Sequence, residues 1–109
     1  MNVVNISAFH TVTEVSANSE QQIVSPTNKN SIKTVQSIFL KAPKASDSEF
    51  IIKTGISGRR HEIMNVLVSM NSTKVINVQQ QLPEYTSMSA TASAGGIVTA
   101  NGVEATLGE

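Results

Sequence analysis

Clusters of Asn, Ser, Gly and Pro punctuate this chain at roughly ten-residue intervals, and the runs between them are rich in Val and Ile. β-Branched side chains are stiff at the first torsion and favour extended backbone. Short strands at that spacing define an all-β sandwich or small barrel. Residues 3–15 alternate with period two: Val4, Ile6, Ala8 and Val12 share one face, and Asn5, Ser7, Thr11 and Thr13 share the other. That pattern predicts a half-buried strand with the first set inward. Phe9 breaks it, which points to a bulge or a contact with another layer.

Further strands follow from the same reasoning. Gln22-Ile23-Val24 ends before Pro26, and Ser31–Lys41 and Glu49–Thr54 are separated by a loop containing Pro43. Ile63–Met70 is apolar on both faces and reads as a central strand. Ile63, Val66, Leu67 and Met70 also carry helical spacing, but Val66 and Val68 favour strand. Thr73–Gln81 is closed by Pro83. Residues 85–96 contain few large groups to bury, so they are expected to form a flexible or partner-bound arm within a single domain spanning 1–109. In IVTANGVEATL, Asn101-Gly102 predicts a two-residue hairpin turn with Ala100 facing Val103. The expected fold is a single-domain antiparallel sandwich or small barrel of about seven or eight short strands, with a C-terminal Asn-Gly hairpin.

Composition narrows the chemistry. The chain has 109 residues, no Cys, no Trp and one Tyr, and only 15% of its residues are charged. Disulfides, thiolate chemistry and cysteine metal sites are excluded. No stretch approaches the roughly 20 apolar residues of a membrane-spanning helix. MNVVNISAFHTV lacks the basic start and apolar run of a secretory signal, so the expected setting is a virion or the cytoplasm.

Net charge is zero but segregated. All eight Lys and Arg lie between Lys29 and Lys74, where only Asp47, Glu49 and Glu62 oppose them. Glu14 and Glu20 precede that segment, and Glu84, Glu104 and Glu109 follow it. Such asymmetry suggests an oriented partner, either nucleic acid or the acidic ends of another copy, unless folding interleaves the segments. Lys33, Lys53, Arg59, Arg60 and Lys74 are the candidate contact residues. On adjacent strands they would form a basic stripe that meets phosphates without reading sequence. Phe39 and Phe50 are the only aromatic residues in that region, too few for a base-stacking platform.

The densest polar stretch is TGISGRRHEI, Thr54–Ile63. Gly55 and Gly58 resemble the Gly-x-x-Gly loop of KH-type RNA-binding domains. The likeness ends there: His61 stands where that family has an apolar residue, and Glu49–Thr54 reads as strand where the family has helix. The residues themselves describe a glycine turn between two strands. His61 and Glu62 are neighbours on a strand and point to opposite faces, so they do not form an acid–base pair. His10, on the face of Ala8 and Val12, reads as an inward, hydrogen-bonded residue. Two separated histidines do not make a zinc site, and no serine sits in a nucleophile elbow. No cofactor, metal or small-molecule substrate is indicated.

These features point to a non-enzymatic, self-assembling structural protein. The specific expectation is a small viral or phage coat, or another virion protein. Its basic middle strands would face nucleic acid, with RNA binding among the expectations, or neighbouring subunits. The alternatives are a small nucleic-acid-binding β-module and a protein-binding or inhibitory module that uses a sheet edge.

Overall fold

The computed structural model describes residues 2–108 and contains eight strands and no helix. The strands are β1 (Val3–Val15), β2 (Gln21–Val24), β3 (Ser31–Lys41), β4 (Ser48–Ile56), β5 (Arg59–Val68), β6 (Thr73–Leu82), β7 (Ser87–Ala92) and β8 (Gly96–Leu107). They form two antiparallel four-stranded sheets, β1-β8-β3-β6 and β2-β7-β4-β5, hereafter sheets A and B. The expected all-β antiparallel sandwich is therefore the observed architecture.

The pairing follows one rule. β4 pairs with β5, β3 with β6, β2 with β7 and β1 with β8. The chain is thus a single long hairpin, folded over so that its nested pairs divide between two sheets. This is a jelly roll. The tip of the hairpin lies in TGISGRRHEI: Ile56 pairs with Arg59, so Ser57 and Gly58 form the loop. Gly58 has φ of 84°, a backbone that suits glycine. The stretch is a turn between two strands, as its residues predict.

The core lies between the sheets. Phe50 and Ile52 of β4 face Ile38 and Leu40 of β3, Val98 and Ala100 of β8, and Leu82 of β6, all fully buried. Large and small side chains alternate across paired strands: Phe50 stands opposite Ala92 and Ile52 opposite Ala90. That complementarity lets the sheets pack closely.

Four local expectations differ from the structure. Residues 87–92 are not an arm but the buried inner strand β7, held between β2 and β4. Their small side chains leave the room that Phe50 and Ile52 fill. Asn101-Gly102 is not a turn, because β8 runs through it and pairs with β1 and β3 on both sides. β5 is an edge strand of sheet B rather than a central one. Finally, β1 is inverted: Phe9, Thr11, Thr13 and Val15 turn toward sheet B, while Val4, Ile6, Ala8, His10 and Val12 face out.

Candidate subunit interface

The inversion of β1 creates the most distinctive surface of the molecule. Directly paired residues of antiparallel strands share a face, so the register assigns the outer side of sheet A row by row. Val12, Thr99, Phe39 and Val75 form one row across β1, β8, β3 and β6. His10, Asn101, Ser37 and Asn77 form the next. Ala8, Val103, Thr34 and Gln81 follow, and then Ile6, Ala105 and Ile32. No Asp, Glu, Lys or Arg occurs in these rows. Among the described residues of this face, charge appears only at one end, where Glu14 and Lys41 flank Ile97.

The apolar members of this face are in solvent: Ile6 is 64% exposed, Val12 63% and Val75 55%. The polar row is internally bonded. His10 Nδ1 and Asn101 Oδ1 are hydrogen-bonded, and Asn101 Nδ2 donates to Ser37 Oγ at 3.4 Å. His10 is therefore hydrogen-bonded, as expected, but on the outer face rather than inside.

The outer side of sheet B has the opposite chemistry. Lys53 stands across from Glu62 on β5. The Arg60 guanidinium donates to Ser87 Oγ from Nε (3.2 Å) and Nη2 (3.0 Å), and Nη1 lies 3.1 Å from Glu20 Oε2. Lys53 Nζ approaches Glu20 Oε1 at 3.9 Å. Glu20 thus bridges Lys53 and Arg60 over a depression of about 240 Å³. Ser87 and Ser89 are buried beneath this charged layer.

The five candidate basic residues do not form one stripe. Lys33 and Lys74 belong to sheet A, and Lys53, Arg59 and Arg60 to sheet B. Lys33 is buried, and its ammonium donates to the Ser25 carbonyl (3.0 Å) and Ser25 Oγ (2.9 Å). Its Nζ lies 6.0 Å from the centroid of the Phe9 ring. Only Lys53 and Arg60 come together, and Glu20 joins them from the acidic N-terminal segment. Arg59, beside the tip of the hairpin, and Lys74, near the start of β6, are exposed and in no ion pair among the described residues. Folding therefore interleaves much of the charge that the sequence keeps apart.

No protein-family model matches the chain, and no curated protein is similar to it in sequence. Solved structures do share its fold. A subunit of the Bacillus endospore appendages, described as a novel family of disulfide-linked pili, aligns with a TM-score of 0.59 at 13% identity, covering 94% of this chain and 89% of that one. The Drosophila NLP core, described in terms of pentamer formation and histone binding, aligns with a TM-score of 0.57 at 13% identity, covering 87% and 96%. A chain of the T13 IBDV viral particle aligns with a TM-score of 0.50 at 5% identity, covering 95% of this chain and 36% of that one. At these identities the likeness is one of fold.

Proposed function

We propose that this chain is a structural, self-assembling subunit, a small coat or other virion protein, whose outer face of sheet A packs against neighbouring copies. The observation that carries this reading is the charge-free face itself. A sheet that presents Ile6, Val12, Phe39 and Val75 to water, without one ionised group among them, has the composition of an interface centre. Its occupant is a second copy, because the row His10-Asn101-Ser37-Asn77 offers both donors and acceptors and can be matched by the same row from a neighbour. The charged outer side of sheet B suits solvent. The fold likeness to subunits of pili, a pentamer and a virus particle supports the same direction. Within this reading Arg59 and Lys74 are the cations best placed for nucleic acid or for an acidic patch on a neighbour.

The test is light scattering coupled to size exclusion, with absorbance at 260 and 280 nm, on protein prepared without nuclease. Particles or filaments far above 11.6 kDa support the proposal, and a high 260 nm signal adds packaged nucleic acid. A monomer at every concentration overturns it.

A further inference from the structure

A second feature of β1 is independent of its outer face. In its first half, Val3 to Ala8, every side chain on both sides of the strand is exposed. Sheet B does not reach this far, because β2 has only four residues. The strand is also an edge. β8 holds one side of it, and the strand is joined to sheet B from Thr11 onward, where Thr11 Oγ1 donates to the Ile23 carbonyl at 2.7 Å and, just past the strand, Ala17 bridges Ala92. Along residues 5–10, alternate N–H and C=O groups therefore point into solvent.

Exposed edges are normally blunted by charge, proline, bulges or shortness. Three of the four edges here carry such devices. β6 has Lys74 and a break in register near Gln79, whose φ is 54°. β5 carries the charged run Arg59 to Glu62 and an irregularity opposite Ile52 and Lys53. β2 is short and its register shifts. β1 has an irregularity between Val3 and Asn5 and a charge at Glu14, but between them, from Asn5 to Thr13, its pairing is regular, with no Lys, Arg, Asp, Glu or Pro.

We infer that β1 pairs antiparallel with β1 of a second copy across a two-fold axis, joining two A sheets into one. This rests on the self-association proposed above and names the contact that begins it. The edge that β1 meets must itself be unprotected, and among the described strands only another β1 qualifies. The contact is therefore isologous, the commonest symmetry in oligomers. An axis perpendicular to the sheet keeps Ile6 and Ala8 outward in both copies. Opposed residues must then have the same parity, so the axis passes between one residue and its own copy, and the extent of the free edge places that residue at Ile6, Ser7 or Ala8.

The chain has no cysteine, so single-cysteine variants report this contact directly. Asn5→Cys, Ile6→Cys, Ser7→Cys, Ala8→Cys and Phe9→Cys would be oxidised and resolved by non-reducing electrophoresis, with Leu67→Cys on β5 as control. Opposed Cα atoms lie about 4.5–5.5 Å apart, within disulfide reach. Two residues from the axis, the like pair is separated by roughly 13 Å along the strand, out of reach. A disulfide-linked dimer should form at one central position and fall sharply on either side, with little at Leu67→Cys. Scattering under reducing conditions separates the two proposals. Large assemblies without a β1 cross-link overturn the edge contact and leave the structural role standing. A cross-linked dimer that never grows supports the edge contact and overturns the particle. A monomer without cross-links overturns both, and equal cross-linking at every site overturns the edge contact.

Discussion

The ring of Phe9 on β1 packs on Gly102 of β8 so closely that a Cβ at position 102 would come within 2.6 Å of Phe9 Cζ and 2.1 Å of the Thr34 carbonyl oxygen. The two residues are cross-strand partners on the inner face of sheet A. Glycine is present here for close approach rather than for a turn. Gly102→Ala forces the ring and the β3 backbone apart and should destabilise the protein by about 1–3 kcal/mol. A lower urea midpoint with an unchanged slope would show it. A substitution without effect would mean that the ring does not rest on the strand.

Phe50 is the largest fully buried side chain, and no neighbour can replace its volume because Ala92 stands opposite. Phe50→Ala should cost about 3–5 kcal/mol. Equilibrium denaturation is the measurement, and a loss below 1 kcal/mol would contradict the packing described.

Val12 and Phe39 belong to the same outer row of sheet A, joined through Thr99. Introducing Val12→Asp with Phe39→Asp places two carboxylates on an otherwise uncharged surface. The isolated fold should lose no more than about 1 kcal/mol, because both sites are on the surface. Assembly should be abolished, since an unpaired charge at an interface centre is costly to desolvate. Thermal melting by circular dichroism, paired with scattering mass, separates the two effects.

Glu20 neutralises Arg60 and Lys53 from across the molecule. The cluster is partly exposed, so Glu20→Gln should cost less than about 1 kcal/mol. The two cations would then lose their shared counter-charge. Retention on a polyanion column should rise, with elution at higher salt than the parent protein. Unchanged elution would show that Glu20 does not mask them.

Strand positions were legible because alternation and turn residues are local signals. The inward face of β1 was not. Alternation divides Val4, Ile6 and Ala8 from Asn5, Ser7 and Thr11, yet it cannot say which set meets the core. Here the apolar set faces out, and Phe9, the residue that breaks the pattern, marks the true inner side. β7 is hidden in the sequence for a related reason. TSMSATASAGG has little volume to bury, but Phe50 and Ile52 supply that volume from the neighbouring strand. Asn-Gly has the composition of a hairpin, and its glycine is explained by the Phe9 ring and the Thr34 carbonyl oxygen, both far upstream in sequence and thus invisible to local reading. The basic stripe failed because strand order is a global property: the nested pairing sends β3 and β6 to one sheet and β4 and β5 to the other.

That nesting also sets an order of events. The pair closest in sequence, β4 with β5, can close across a two-residue loop, and each later pair must span a longer stretch already drawn together. β1 and β8 are the paired strands farthest apart in sequence, joined also where the Gly108 amide donates to the Asn2 carbonyl at 2.7 Å, so they close last. Folding of so non-local a topology should take milliseconds to seconds. The unprotected β1 edge and the uncharged rows of sheet A become complete only at that final step. Under the proposed self-association, a half-folded chain would have no finished surface with which to recruit neighbours, and the architecture would act as its own timer.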